Sequence, residues 1–262
     1  MNDILDLDRY PLDQEGSIEW HALVGKAIAE LDGNGMFNLE GFVKQDIVQK
    51  IAAQIKPLMD TQSYTHKRLH NIYFQPEIPE LDPSHPALRK VETSNHTICA
   101  DQIANSIVLS IYNYPAFARF LAATMCKPML YVMQDPLACA NVMGYRSGET
   151  LNWHFDRSEF TTTLLLQAPE IGGEFEYRTD LRTANEPNYA GVAKLLEGKD
   201  PEIKRMSLSA GTLNVFRGKN TAHRVTKVQG DQDRLIAVFS YYEKPGVMFS
   251  EAERMGFYGR AA

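Results

Sequence analysis

The sequence predicts a mainly β protein with α-helices, in which a jelly-roll core follows an N-terminal layer of helices. In residues 130–242, short segments of alternating apolar and polar character follow one another, separated by glycine and asparagine turns, as in all-β domains. Before residue 130, apolar residues recur at helical spacing in three stretches. About nine strands beside a helical layer fit a jelly roll with helices packed on its outside.

Residues 1–128 are predicted to form the helical layer and a lid. Residues 18–31 have the pattern of an amphipathic helix that ends at DGNG, and MFNLEGF is predicted to be a short strand. Residues 46–59 and 101–125 are helical in pattern, with a bend expected near Pro115. Residues 60–95 are irregular and interrupted by prolines. Because such long loops are usually functional or mobile, we expect a lid over a site.

Residues 129–245 are predicted to form the jelly-roll core. Residues 183–202 interrupt it as an insertion with a helical turn around residues 192–196. We expect residues 1–262 to be a single catalytic domain, because jelly rolls of this length are commonly single units. The predicted strands are LYVMQ, ACANVMGYR, NWHFD, TTTLLLQ, GEFEYR, RMSLS, TLNVFR, HRVTKV and RLIAVFSYY.

The composition is that of a soluble globular protein, with 44% apolar and 23% charged residues. A net charge of -6 without a long basic run argues against nucleic-acid binding, and no apolar run approaches the length of a membrane span. The acidic amino terminus lacks a signal-peptide pattern, and the three cysteines form no disulfide or zinc pattern. A cytoplasmic enzyme for a small molecule is therefore expected, and the oligomeric state stays open.

The stretch NWHFDR, residues 152–157, holds two side chains that can bind a metal. In a strand, His154 and Asp156 would share one face. With 7 histidines and 33 acidic residues, composition alone gives roughly one such pair. The pair therefore needs partners elsewhere, and His223 opens HRVTKV while Arg234 opens RLIAVFSYY.

His154, Asp156, His223 and Arg234, in this order and spacing, resemble the signature of the iron(II)- and 2-oxoglutarate-dependent dioxygenases. The resemblance implies a double-stranded β-helix, the cupin-like form of the jelly roll, with iron(II), 2-oxoglutarate as co-substrate and dioxygen. It implies that His154, Asp156 and His223 bind the iron and act in catalysis. Further segments that are similar to the family's turns and strands are YRSG before the first ligand, GGEF, AGTL and GMFNLEGF.

Two imidazoles and one carboxylate leave one face of an octahedral ferrous ion open for 2-oxoglutarate and dioxygen. One carboxylate of 2-oxoglutarate would bind the iron. The planar guanidinium of Arg234 would match the second carboxylate with two parallel hydrogen bonds. Many family members carry a hydroxyl two residues after this arginine, but this chain has Ile236 there. The second partner is therefore open, and the candidates are Ser240, Asn141, Tyr145 and Thr163.

The sequence gives less evidence for the residues that contact the substrate than for the metal ligands. The basic cluster in residues 66–70 is interpreted as a solvated face, and His21, His85 and His96 as structural residues. Trp153 and Phe155 are expected to pack in the core on the far face of their strand. The residues that flank the ligand strands and could bind a substrate carboxylate are Arg146, Arg157, Arg217 and Asn220.

The acid of the His-x-Asp motif bears on the reaction. Some amino-acid halogenases of the resembled family have Gly or Ala there, which frees a site for chloride. NWHFD, GGEFEY and NTAHRV are similar to that group and to its hydroxylase relatives, which act on free amino acids. Because Asp156 keeps the acid, we expect hydroxylation of an unactivated carbon, with release of succinate and CO2.

The expected substrate is a small polar molecule, with a free amino acid as the leading candidate, and neither nucleic acid nor membrane is an expected partner. Desaturation and ring formation stay open as outcomes. The alternatives are a peptidyl or protein hydroxylase on the same scaffold and a cupin-like metal-binding sensor without turnover. An open groove beside the metal would favour the peptidyl hydroxylase, whereas closure of residues 60–95 over the site would favour a free metabolite.

Overall fold

The computed structural model describes all 262 residues. Two short 3-10 turns lie at Pro86–Leu88 and Ala100–Ile103. The helices are α1 (Ile18–Asn34), α2 (Gln45–Gln62), α3 (Ile107–Tyr112), α4 (Pro115–Thr124), α5 (Tyr189–Leu196) and α6 (Glu251–Tyr258). The strands are β1 (Met36–Leu39), β2 (Tyr64–His70), β3 (Val91–Ile98), β4 (Tyr131–Val132), β5 (Ala140–Tyr145), β6 (Leu151–His154), β7 (Thr161–Gln167), β8 (Phe175–Arg178), β9 (Lys204–Met206), β10 (Leu213–Phe216), β11 (Ala222–Val225), β12 (Arg234–Phe239) and β13 (Tyr241–Tyr242).

Two antiparallel sheets form the jelly roll. The larger sheet has the order β1-β10-β7-β12-β5-β3-β2, and the smaller has the order β6-β11-β8-β9. Strands that are distant in sequence are neighbours in both sheets, as the crossovers of a jelly roll require. The predicted fold, a jelly-roll core with an added helical layer, is confirmed.

The alternation of side chains along β12 separates the core from the site. Leu235, Ala237 and Phe239 belong to the largest hydrophobic cluster, which has 36 buried residues and includes residues of α1, α2 and α4. The intervening side chains of Arg234, Ile236 and Val238 line a cavity on the other face of the sheet. The helical layer therefore covers one face of the larger sheet and leaves the other face for chemistry.

The ends of the first helix follow from local chemistry. The Ser17 hydroxyl caps α1 by accepting a hydrogen bond from the Trp20 amide, and the helix ends at Gly35, whose φ is 74°. Ser17 supplies an acceptor for an orphan amide, and glycine adopts the left-handed conformation at little cost. The predicted helix and its DGNG stop are confirmed within three or four residues.

The prediction of an irregular lid over residues 60–95 is only partly right. Residues 64–70 form β2, which pairs antiparallel with β3 from Tyr64 opposite Thr97 to His70 opposite Val91. The edge strand β2 is mostly exposed and rich in charged residues, so it lacks the apolar alternation that identifies a strand. Residues 71–90 between the two strands remain without regular structure apart from one 3-10 turn.

Two further elements differ from expectation. The predicted helix over residues 101–125 is divided into α3 and α4, because Pro115 starts a new helix at its first position. The helix α6 was not predicted, although Ser250 and Glu253 form a complete capping box at its start. None of the helices has the length and hydropathy that a membrane-spanning segment needs.

An ion-pair cluster covers the outer face of the smaller sheet. Burial raises the pKa of Glu176, but ion pairs with Arg224 and Arg205 outweigh burial and hold that pKa below its ordinary value of 4.5. The register places Arg224 directly opposite Glu176 and Glu176 opposite Arg205. The cluster therefore ties β11, β8 and β9 together beside the strand that carries His223.

Candidate metal centre and co-substrate pocket

The strand register brings the two predicted histidine ligands together. His154 ends β6, and His223 on β11 is its direct antiparallel partner. Their ring centroids are 4.1 Å apart. Asp156 lies two residues beyond His154, and one ligand atom from each of the three residues lies within 4.8 Å of the others. The three side chains are thus close enough to share one metal ion.

Backbone carbonyls orient both imidazoles. The His154 Nδ1 lies 2.8 Å from the carbonyl oxygen of Asn152, and the His223 Nδ1 lies 3.0 Å from that of Thr221. Because a carbonyl only accepts hydrogen bonds, Nδ1 must carry the proton in each ring. The Nε2 atoms are then the unprotonated ones, and both point at the Asp156 carboxylate at 3.4 Å. This arrangement is typical of metal-binding histidines.

Asp156 is held in place from several sides. Its carboxylate accepts a hydrogen bond from the Thr161 hydroxyl, and its backbone amide donates to the Gly218 carbonyl at 3.0 Å. Burial raises its pKa, but attraction to His223 and His154, when these rings also carry a proton on Nε2, outweighs burial and holds the pKa well below the ordinary aspartate value. In either protonation state of the rings, a positive charge between the two Nε2 atoms and the carboxylate stabilises the ionised form of Asp156, which is the form that binds a cation.

The three side chains open into a cavity of about 720 Å³, lined by residues of both sheets. Arg234 also lines this cavity and is 3% exposed. Its Nη1 has no hydrogen-bond partner, and its guanidinium lies 5.7 Å from the Tyr145 ring centroid. Burial lowers the pKa of Arg234. A buried guanidinium with a free nitrogen and no carboxylate partner is costly, so the site is complementary to an anion.

The candidates for the second co-substrate contact divide into two groups. Asn141, Tyr145 and Thr163 line the cavity, and the Asn141 amide oxygen accepts a hydrogen bond from Tyr258 at 2.9 Å. Ser240 does not line the cavity, because it lies beyond the end of β12, where its backbone amide donates to the Cys139 carbonyl.

The structure brings only one of the four substrate-contact candidates to the cavity, namely Arg157. Arg146 instead lies 3.6 Å from Asp60, and Arg217 is ion-paired with Asp32. Each follows a cavity-lining residue at the end of a strand, so each side chain points to the opposite face. The fourth candidate, Asn220, also lies outside the cavity lining.

The turn after β2 covers the candidate metal-ligand cluster and lies within residues 60–95, where the sequence predicts a lid over a site. The Phe74 ring lies edge-on to His154 at 5.9 Å and is stacked on His70 at 4.3 Å. Phe74 has a φ of 56°, which is unusual for a bulky residue. The buried Asn71 side chain maintains this conformation by accepting hydrogen bonds from the amides of Tyr73 and Gln75. The sequence predicts the lid but not which of its residues cover the cluster, since the cover depends on a single left-handed residue.

Other cavity residues come from segments far apart in the chain. The interpretation of residues 66–70 as a solvated face was incomplete, because several of these side chains line the cavity, and the buried His70 contacts Thr93 at 2.7 Å. Phe155 packs with Trp153 in a small hydrophobic cluster, as expected, and also reaches the cavity. The further charged or basic residues that line the cavity are His66, Arg68, His70, Arg182 and Lys219.

Comparison with known proteins identifies the family. The model of the family described as Halogenase D matches residues 20–251. The chain belongs to the Halogenase D family. No relative among curated proteins matches the sequence.

Several solved structures share the fold of this chain. An oxidoreductase of the 2OG-Fe(II) oxygenase family from Burkholderia pseudomallei has a TM-score of 0.52 at 14% identity, over 89% of this chain and 94% of its own. AviO1 from Streptomyces viridochromogenes Tue57 has a TM-score of 0.56 at 14% identity, over 85% and 96%. HygX from Streptomyces hygroscopicus, solved with nickel, 2-oxoglutarate and hygromycin B, has a TM-score of 0.51 at 15% identity, over 82% and 86%. Together with the family match, they confirm the resemblance to the iron(II)/2-oxoglutarate-dependent dioxygenases.

Proposed function

We propose that this member of the Halogenase D family is an iron(II)/2-oxoglutarate-dependent oxygenase that hydroxylates an unactivated carbon of a small polar molecule, with a free amino acid as the leading candidate. The observation that carries this proposal is the cluster of His154, Asp156 and His223 in the cavity that Arg234 also lines. HygX, which shares the fold, was solved with nickel and 2-oxoglutarate.

The residues present fit a ferrous ion. Two imidazole nitrogens and one carboxylate are the donor set that non-haem iron oxygenases use, and they leave coordination positions open. The hydrogen bonds from Nδ1 to backbone carbonyls leave both Nε2 atoms free to bind without losing a proton. Bound iron(II) with 2-oxoglutarate and dioxygen would supply the oxidation that converts a substrate C–H into C–OH, with succinate and CO2 as the other products.

The residues also fit 2-oxoglutarate. The buried Arg234 has a free Nη1, and a carboxylate would supply the anion that this guanidinium lacks. Asn141, Tyr145 and Thr163 line the same cavity and are our candidates for further hydrogen bonds to the co-substrate. Phe74 and its turn lie over His154, which limits the access of water to that side of the cluster.

Asp156 favours hydroxylation over halogenation. Its carboxylate lies 3.4 Å from the Nε2 atoms of both His154 and His223, so it occupies the third ligand position of the cluster. A halide would need that position to be vacated. The family name therefore describes the family and not the outcome that we propose for this chain.

The covered cluster also favours a free metabolite over a peptide. The turn at residues 71–75 contacts the cluster through Phe74, whereas a peptidyl hydroxylase needs an open groove beside the metal. A prolyl hydroxylase from Pseudomonas putida shares the fold at 14% identity with a TM-score of 0.50, so the scaffold alone does not separate the two substrate classes.

A screen of the twenty amino acids tests the proposal. The purified protein, supplied with iron(II), ascorbate, 2-oxoglutarate and dioxygen, should release succinate in proportion to a hydroxylated product with at least one substrate. The Asp156→Ala variant should lose this coupled hydroxylation. Metal binding without succinate release across the whole panel would instead indicate the cupin-like sensor.

A further inference from the structure

The cavity is lined by more positively charged than negatively charged side chains. Apart from Arg234, the cavity is lined by Arg68, Arg157, Arg182 and Lys219, whereas Asp156 is the single acidic residue in its lining. Arg157 forms an ion pair with Glu253 at 3.0 Å. The other three form no ion pair within 4.0 Å. The cavity therefore presents three positive charges that no carboxylate of the chain neutralises.

Two of these cations lie beside the metal-ligand acid. The Arg182 Nε donates to the Lys219 carbonyl at 2.8 Å, and the Arg182 guanidinium lies 3.9 Å from the Phe155 ring centroid. Lys219 follows Gly218, whose carbonyl accepts the hydrogen bond from the Asp156 amide. The aromatic ring orients the guanidinium without cancelling its charge. Arg182 is thus a fixed and half-buried cation at the site.

The third cation, Arg68 on β2, lies over the aromatic ring of the turn that covers the cluster. The Arg68 guanidinium lies 4.8 Å from the Phe74 ring centroid, and Phe74 contacts His154 at 5.9 Å. Because Asn71 pins this turn, the position of Arg68 is tied to the metal-ligand cluster. Phe74 in this turn has a left-handed backbone conformation, and strained conformations of this kind concentrate at functional sites.

The remaining charges of the site cancel. A ferrous ion and Arg234 carry three positive charges, and Asp156 with the two carboxylates of 2-oxoglutarate carries three negative charges. The charges of Arg68, Arg182 and Lys219 are therefore available to the primary substrate, and Arg182 is the only one of the three that is not exposed to solvent. An ammonium group in the substrate's side chain would meet no free carboxylate and would be repelled by these cations, whereas a side-chain carboxylate would be attracted and would leave an acidic amino acid with a net negative charge despite its α-ammonium group.

We infer that the primary substrate is a small molecule with two acidic groups, namely an acidic amino acid or a close dicarboxylate relative, and that Arg182 and Arg68 select it by charge. This inference rests on the proposed function. It narrows the free amino acids to those with an acidic side chain.

Calorimetric titration of the protein loaded with iron(II) and saturating 2-oxoglutarate, without oxygen, tests the inference. The acidic ligands are L-aspartate, L-glutamate and L-2-aminoadipate, and the comparison ligands are L-asparagine, L-glutamine and L-lysine. At least one acidic ligand should bind about tenfold tighter than its neutral and cationic counterparts. Its affinity should fall as sodium chloride rises, because the ligand is held by charge. The same ligand should support succinate release once oxygen is admitted.

Variants assign the selectivity to residues. Arg182→Met and Arg68→Met should each weaken the acidic ligand by about tenfold while leaving 2-oxoglutarate binding unchanged. Unchanged 2-oxoglutarate binding also shows that each variant is folded. Arg182→Lys keeps the charge and should retain the preference for the acidic ligand. Arg119→Met is the matched control, because Arg119 is an exposed arginine ion-paired with Glu15 outside the cavity.

L-Glutamate resembles 2-oxoglutarate in shape, so the titration is repeated at a higher 2-oxoglutarate concentration. Binding that weakens as 2-oxoglutarate rises takes place at the co-substrate position and counts against the inference. Tightest binding by L-lysine or a neutral ligand, or no binding by any acidic ligand, overturns it, while coupled succinate release with such a substrate leaves the proposed function intact. Failure of the protein to bind 2-oxoglutarate at all overturns the proposed function itself.

Discussion

Replacing Gly218 by alanine should displace the carboxylate ligand without removing any ligand atom. A Cβ added at Gly218 would lie 2.9 Å from the Asp156 Cβ and closer still to the Asp156 Oδ2 and the Thr161 Oγ1. The loop cannot yield freely, because the Gly218 carbonyl accepts the Asp156 amide at 3.0 Å. The added methyl group therefore pushes on Asp156 from the segment to which it is hydrogen-bonded.

The size of the effect follows from the distances. Ordinary van der Waals contact begins at 3.4 Å, so the Asp156 Cβ must move by at least about 0.5 Å, and its carboxylate by more. Disturbing the surroundings of a metal ligand typically lowers metal affinity by about 10–100-fold, which corresponds to roughly 1.4–2.7 kcal/mol. Overpacking should also lower the free energy of unfolding by about 1–3 kcal/mol.

Anaerobic iron(II) titration and urea unfolding measure the two effects. Gly25→Ala is the matched control, because Gly25 lies inside α1 and an added Cβ there meets nothing within 4 Å. That control should bind iron normally and raise the free energy of unfolding by about 0.5–1 kcal/mol. If Gly218→Ala binds iron as tightly as the wild type and forms succinate at the same rate, Asp156 is not an iron ligand whose position depends on the Gly218 loop.

Three further changes have defined outcomes. Arg234→Ala should raise the concentration of 2-oxoglutarate that the enzyme requires and leave iron binding intact, since losing one partner of a buried charge pair costs about 3–5 kcal/mol. An unchanged requirement in a succinate assay would show that another residue binds the carboxylate. The wild type has stability from the ionised Glu176 above pH 4.5 and loses it as the pH falls through the lowered pKa of the folded state. Glu176→Gln should remove this contribution, so the free energy of unfolding in urea should depend less on pH in that range than it does for the wild type. Parallel pH curves for the two proteins would refute this. Asn71→Ala should remove the hydrogen bonds that hold the turn with Phe74 and lower the free energy of unfolding by about 1–3 kcal/mol. A change near zero would show that the turn does not depend on the Asn71 side chain.

The jelly-roll strands were predictable because their physical signal is local. Segments such as TTTLLLQ and RLIAVFSYY are rich in β-branched and apolar residues, and the structure has β7 and β12 at these positions. The spacing of His154 and Asp156 was informative for the same reason, since two residues on one strand face share a direction. The proximity of His223 came from the resemblance, since strand pairing between distant segments cannot be obtained from local periodicity.

The rest of the site was not predictable because it depends on long-range packing. Arg68, Arg182 and Lys219 come from three separate segments, and only the folded chain brings them to one cavity. Arg146 and Arg217 adjoin cavity residues in sequence, but side-chain alternation directs them away. The edge strand β2 carries charged residues on both faces, so its pattern did not distinguish it from a loop.

The central claim is that two imidazoles and one carboxylate, brought together by the pairing of β6 and β11, hold one ferrous ion. The most direct test is the iron content of the wild type and of His223→Ala after anaerobic reconstitution and removal of unbound metal. The wild type should retain about one iron per chain and the variant none, with succinate formation lost in parallel. Equal iron content in the two proteins would contradict the claim.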